Sequence, residues 1–302
     1  MSAHQKGILA LITANIIWGA ASPIFKFALQ NISPFTLAFI RFYGATLILL
    51  PFAYPYLKIH KKDYLKIFWL SFFGVTVNIS FFFLGLKYAP SINAPIIASS
   101  GPIFIYLFSI FLLKEKPHFK VLLGLIVSLI GVLVIIGQPF LEGNIDGQLI
   151  GNLFLILATL GSVGHIIISK EILHDYHPST IAFWSFLIGT ITFLPFFILE
   201  IMAGNNKYAL DYRGVIGIVF GIFLSSALAY SLFEYGLKYI DAQDVGIFTY
   251  IDPLSAILIA APLLGEYITS IYLLGAFLVF GGIFIAEGRL HYHPFHLFHK
   301  RL

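Results

Sequence analysis

The sequence predicts an all-α integral membrane protein whose ten transmembrane helices form two inverted five-helix repeats. Three observations carry that prediction: an apolar composition, the spacing of the apolar runs, and internal repetition. Of the 302 residues, 59% are hydrophobic and 11% are charged, and the mean hydropathy is +0.92. A soluble chain carries roughly 25% charged residues. A folded surface this poor in charge needs lipid in place of water around it. A soluble helical protein would also show a polar stripe along each helix, and the apolar runs here are polar-poor all round.

Runs of about twenty apolar residues, the length needed to cross a bilayer core, fall at 7–29, 34–56, 64–86, 91–113, 119–138, 148–171, 178–202, 213–237, 241–264 and 269–287. The first, Gly7 to Leu29, is too long for a signal-peptide core and lacks a small-residue cleavage site, so it reads as a retained span. The longer breaks, near 57–63, 139–147 and 203–212, are too short for a soluble domain. Without cysteine the chain has no disulfide or thiolate metal site.

Lysine and arginine set the orientation. With the N-terminus inside, the cytoplasmic segments hold Lys6, Lys58, Lys61, Lys62, Lys66, Lys114, Lys116, Lys120, Lys170, Lys238, Arg289, Lys300 and Arg301. The opposite side holds only Lys87, Lys207 and Arg213, while Lys26 and Arg41 lie within spans. That asymmetry predicts both termini on the cytoplasmic side of the cell (inner) membrane. It also explains the formal charge of +4 without any nucleic-acid partner.

The chain repeats itself. Gly85-Leu86-Lys87-Tyr88 returns as Gly236-Leu237-Lys238-Tyr239, an offset of 151 that also pairs Pro102 with Pro253, Glu115 with Glu266 and Gly131 with Gly282. Earlier, an offset of 144 pairs Lys26 with Lys170, Pro34 with Pro178 and Pro51 with Pro195. The repeats are 1–140 and 147–288, followed by a cytoplasmic tail, 289–302. Five spans is an odd number, so the second copy enters from the opposite face. Inverted repeats of this kind underlie alternating access in secondary transporters, with substrate bound near the midplane.

The residues resemble the EamA-type members of the drug/metabolite transporter superfamily. The likeness rests on Asn15-Ile16-Ile17-Trp18-Gly19 with Pro23 and Lys26, on Pro34 and Arg41-Phe42, and on the doubled endings Leu113-Lys114-Glu115 and Leu264-Gly265-Glu266, each leading into a Leu-Leu-Gly run. Pro117 and His118 after the first Glu depart from the pattern, and Arg41 has only Ser185 as its second-half partner. The resemblance implies two inverted bundles around a central cavity, lined by spans one to four and six to nine. It also implies transport of small metabolites such as amino acids, nucleotide derivatives or amphipathic drugs.

Polar groups inside the membrane are costly and must face a cavity or a partner. Arg41 lies seven residues past Pro34, about 10 Å into the span at 1.5 Å per residue, and reads as an anion-binding or gating charge, or else as an arginine snorkelling outward or held by an acid as a structural pair. Lys26, a turn from the end of its span, is a second cation that could instead snorkel outward. Asp252, mid-span ahead of Pro253, reads as a buried carboxylate able to exchange a coupling proton, as an ion-pair partner of Arg41 or Lys26, or as an N-terminal cap on a broken helix. His165, beside Ser162 and Ser169, reads either as a group that hydrogen-bonds substrate or titrates near neutral pH or as a satisfied packing histidine. Asn78, Asn93, Ser99 and Ser100 are neutral candidates, and Trp18, Tyr230 and Tyr250 are candidate aromatic walls. Glu234 and Asp244 read as interfacial or gate acids, and Glu115 and Glu266 as structural caps. The paired Gly124/Gly131 and Gly275/Gly282 read as helix-packing positions.

No P-loop, Gly-rich dinucleotide motif, HExxH or nucleophile elbow occurs, so the chain calls for no cofactor and is read as a non-enzyme. His291, His293, His296 and His299 in the tail could chelate a metal, but with Lys300 and Arg301 they read as a basic tail near anionic headgroups. The expected function is a secondary transporter of a small, amino acid-like or similar amphipathic metabolite, in the export direction. A lipid-linked sugar flippase is the alternative. A membrane-embedded enzyme would need clustered acids or histidines at the interface, which the sequence lacks.

Overall fold

In a computed structural model the described residues are 2–101, 103–104, 108, 119–141, 147–204, 209–240 and 248–287, and every regular element among them is helical. The helices are α1 (Ala3–Ala28), α2 (Pro34–Ala53), α3 (Tyr64–Ser71), α4 (Asn78–Tyr88), α5 (Asn93–Ala98), α6 (Phe119–Leu141), α7 (Gln148–Ile172), α8 (Pro178–Met202), α9 (Tyr212–Val219), α10 (Ala229–Tyr239), α11 (Ile251–Leu264) and α12 (Ser270–Glu287). Two are interrupted without ending. Phe72–Val77 joins α3 to α4 and Phe220–Leu228 joins α9 to α10, both as π-helical turns. Among the described residues six helices are long and apolar enough to cross a membrane, with shorter apolar helices at 122–138, 251–264 and 270–282.

Local chemistry explains the helix starts. Ser2 accepts from Gln5 N–H while Gln5 accepts from Ser2 N–H, a reciprocal cap for α1. Pro34 and Pro178 open α2 and α8, where a missing N–H costs nothing. The start of α2 borrows its cap from another helix: Glu200 of α8 accepts from Phe35 N–H at 3.2 Å, Thr36 N–H at 2.7 Å and the Thr36 hydroxyl at 2.9 Å.

The outer walls are built for lipid. On α6, Leu122, Ile126, Leu129 and Leu133 face outward, while Leu125, Val132 and Ile135 are buried. The inner face of α6 packs along α12 at near-backbone contact. A Cβ on Gly131 would lie 2.6 Å from the Gly275 carbonyl oxygen, and one on Gly275 would lie 2.9 Å from the Gly131 carbonyl oxygen. Only residues without side chains allow that approach, so Gly131 and Gly275 are packing positions.

The expected spans match these helices to within a few residues, with two instructive differences. The expected fourth span, 91–113, breaks after α5 at Ser99–Ser100, and the ninth, 241–264, has a turn at Thr249–Tyr250 ahead of α11. Asp252, expected mid-span, therefore sits in the first turn of α11. A carboxylate is favoured there by the helix dipole, and Pro253 removes only an N–H that has no helical partner. Lys114, Glu115, Lys116, Asp244 and the tail histidines His291, His293, His296 and His299 lie outside the described residues.

Candidate functional site

A cavity of about 180 Å³ lies between α1, α2, α4, α5, α7, α10, α11 and the two π-helical turns. Six sequence candidates line it: Trp18, Arg41, Asn78, His165, Tyr230 and Asp252. Each arrives on a different helix or helix segment, which periodicity within one helix could not reveal.

Arg41, 2% exposed, donates from Nε to Ser226 Oγ at 2.6 Å and from Nη2 to Ser225 Oγ at 3.1 Å. Its guanidinium lies 4.8 Å from the centre of the Phe25 ring and 4.7 Å from that of Phe42. Aromatic faces and hydroxyls solvate the cation without neutralising it, and among the described residues no acid pairs with it.

Asp252, 9% exposed, approaches α1 where Gly19 leaves room for the α11 backbone. Its Oδ1 is buried with no hydrogen-bond partner among the described residues. The ion pair expected with Arg41 or Lys26 is absent among them. Lys26 instead turns from the cavity to Glu266 Oε1, 3.0 Å away, and to the Ala89 carbonyl at 2.6 Å. Glu266 also accepts from Ser91 N–H, the Ser91 hydroxyl and Ile92 N–H, capping the chain ahead of α5. The cap expected of Glu266 is there, and Lys26 completes it.

His165 and Glu234 form the second polar group. His165 Nε2 is 2.6 Å from Glu234 Oε1, and Nδ1 donates to the Leu70 carbonyl at 3.1 Å. Glu234 is 0% exposed, which corrects the expectation of interfacial exposure. The helix that carries it, α10, packs on α1 and brings Glu234 against His165.

Trp18 donates from Nε1 to the Ser225 carbonyl at 3.1 Å, and its ring packs edge-on to Tyr230 with centroids 5.0 Å apart. The Tyr230 hydroxyl donates to the Gly74 carbonyl at 3.4 Å. Asn78 donates to the Ala158 carbonyl at 2.8 Å, which fixes its amide on the wall.

The remaining candidates lie off the cavity lining. Asn93 is bound to Asn152 Oδ1 at 3.0 Å, and Tyr250 packs on Phe280. Ser99 and Ser100 donate to the Pro95 and Ile97 carbonyls of their own helix end, which also accept from the Ser99 and Ser100 backbone N–H groups, so both hydroxyls are spent on local backbone bonds. Sequence reasoning passed over Asn15, Ser225 and Ser226 as site residues. Asn15 lines the cavity with a buried Oδ1 that has no partner among the described residues. The Ser225-Ser226 doublet, inside an otherwise apolar run, was the visible signal.

Comparison with known proteins gives this geometry a setting. The EamA-like transporter family matches the chain twice, over residues 5–137 and 149–287. A Bacillus subtilis protein named "Uncharacterized transporter YetK" is 30% identical, covering 92% of this chain and 85% of its own. An Escherichia coli protein named "Probable amino-acid metabolite efflux pump" is 24% identical over 93% of this chain and 94% of its own. A solved crystal structure superposes with a TM-score of 0.67 at 18% identity, covering 96% of this chain and 98% of that one, and so shares its fold.

Proposed function

The chain belongs to the EamA-like transporter family and is a multi-pass membrane transporter of small molecules rather than an enzyme, and from that premise we propose that it exports a zwitterionic, amino acid-like metabolite by alternating access. The observation that carries the substrate class is the pair of uncompensated poles in one cavity. Arg41 presents a cation solvated only by hydroxyls and rings, suited to a carboxylate. Asp252 and Asn15 present acceptor oxygens with no partner among the described residues, suited to an ammonium group. Trp18, Phe82, Tyr230 and Phe233 line the same cavity and offer surface for an apolar side chain. Buried polar groups left open for a ligand discriminate strongly against molecules that cannot fill them.

Alternating access draws support from contacts that recur at the repeat offsets. A Cβ on Gly85 would lie 2.6 Å from Leu155 and 3.1 Å from the Gly151 carbonyl oxygen, while one on Gly236 would meet Leu11 and lie 3.2 Å from the Gly7 carbonyl oxygen. Gly7 and Leu11 are the counterparts of Gly151 and Leu155 at an offset of 144, and the family matches each half separately. Both support inverted repeats at 1–140 and 147–288 that rock about the cavity. The efflux names of the Escherichia coli and Salmonella relatives support export. The lysine asymmetry supports the inner membrane with both termini cytoplasmic. A cavity of about 180 Å³ is small beside the roughly 300–1,000 Å³ of drug-sized ligand pockets, which suits a single metabolite better than a lipid-linked sugar.

Liposomes carrying the protein test this with labelled phenylalanine, phenethylamine and phenylpropionate. Phenylalanine should exchange fastest. Arg41→Ala should remove its advantage over phenethylamine, and Asp252→Asn its advantage over phenylpropionate, each by about tenfold, or 1.4 kcal/mol. Equal handling of all three probes by the unaltered protein would overturn the two-pole assignment.

A further inference from the structure

We infer that His165 and Glu234 together form the binding site for a coupling proton, an assignment that rests on the transporter reading and moves that proton away from Asp252. Hydrogen-bond accounting carries it. The Leu70 carbonyl can only accept, so His165 Nδ1, at 3.1 Å, bears a hydrogen. A neutral imidazole then leaves Nε2 bare, facing Glu234 Oε1 at 2.6 Å. Two lone pairs repel at that distance, so one further proton lies between them, on the nitrogen or on the oxygen. Ser169 Oγ, 3.3 Å from Nε2, cannot supply it, because its hydrogen would not lie between Nε2 and Oε1. The pair is thus a neutral unit holding one exchangeable proton.

Its surroundings make that proton conditional on conformation. Glu234 is fully buried, and its Oε2 has no hydrogen-bond partner among the described residues. Losing the proton in place would leave a carboxylate with one oxygen unbonded and the other against a lone pair, a costly state away from water. The charged and titratable groups on the packed helices do not relieve it. Tyr230 turns its hydroxyl to Gly74, and Arg41 is held by Ser225 and Ser226. Lys26 is held by Glu266, Lys66 pairs with Glu171 at the surface, and Lys238 donates to the Tyr176 carbonyl. Glu200 caps α2, and Asp252 lines the cavity from α11.

The proton therefore leaves when α3, α7 and α10 part and water reaches the pair. His165 also lines the cavity, so proton occupancy and substrate occupancy share one wall. Only an N–H or O–H bond forms and breaks. One proton enters from one side of the membrane and leaves to the other in each cycle, opposite to the exported metabolite.

The test uses the whole protein in liposomes with labelled phenylalanine, reading exchange without a gradient and accumulation driven by a pH gradient. In Glu234→Gln the ratio of driven accumulation to exchange should fall at least about tenfold, while Lys66→Gln at the surface should keep the unaltered ratio. An undiminished ratio in Glu234→Gln would overturn the inference. If the unaltered protein exchanges no phenylalanine, the substrate reading fails, and ¹⁵N-histidine NMR decides the proton site alone. The same measurement decides if Glu234→Gln loses both activities. His165 is identified there by the signal lost in His165→Asn. A proton-bearing or strongly hydrogen-bonded Nε2 that titrates once supports the site, and a bare Nε2 throughout about pH 6 to 8 overturns it.

Discussion

The two π-helical turns use the same backbone device and carry opposite chemistry. At the offset of 151, Gly74 in the first corresponds to Ser225 in the second. Both turn a carbonyl toward a cavity aromatic: Gly74 accepts from Tyr230 at 3.4 Å, and Ser225 from Trp18 at 3.1 Å. The first turn has no side chain at that position, and the His165 ring occupies the space. The second adds two hydroxyls, and Arg41 binds both. Two turns of like backbone thus carry different side-chain chemistry. One leaves room for the His165 ring beside Glu234, and the other seats the Arg41 cation. π-helical turns often mark functional positions, because widening the helix frees a carbonyl and redirects side chains.

Exchanging the residues between the turns is the sharpest way to break the comparison. Gly74→Ser should have the largest effect. Its Cβ would overlap the buried His165 ring, so overpacking should cost about 1–3 kcal/mol. The expected readout is a fall of several degrees in the thermal midpoint of the purified protein, and an unchanged midpoint would show that the histidine does not need the gap. On the second turn, Ser226→Ala removes the shorter of the two Arg41 contacts without adding bulk. It should leave the fold intact and weaken phenylpropionate binding about tenfold, or 1.4 kcal/mol, as read by competition against labelled phenylalanine. Equal losses for phenylpropionate and phenethylamine would separate Ser226 from the proposed carboxylate pole.

These residues also mark where the sequence is legible. Arg41 and Asp252 stand out because a charge inside an apolar run is costly wherever it points. The spans are legible for the same reason, since lipid imposes one length on each. Glu234 was harder. Counted along a regular helix it falls near an interface, but the π-helical turn before it changes the helical phase in a way hydropathy does not register, and α10 brings it to His165. Lys26 had the opposite fate: its chain reaches outward to Glu266, 240 positions along, and no local pattern encodes that pairing. Ser99 and Ser100 carry the polarity expected of a site, yet their hydroxyls bond back to carbonyls of their own helix end, beside a break whose exact position hydropathy cannot fix.

The smallest expected effect is the finest measure of the two turns. Trp18→Phe removes a neutral hydrogen bond of 3.1 Å while keeping an aromatic ring against Tyr230 and Phe233. A bond of that kind contributes about 0.5–1.5 kcal/mol. Tyr230→Phe removes the corresponding bond to Gly74, but at 3.4 Å it lies beyond the usual range for a hydroxyl donor. Its loss should cost less than the Trp18 change. Thermal midpoints of the two variants should therefore rank with Trp18→Phe below Tyr230→Phe. The opposite order would mean that the Gly74 carbonyl depends more on its donor, and the asymmetry between the turns would then lie in the backbone as well as in the side chains.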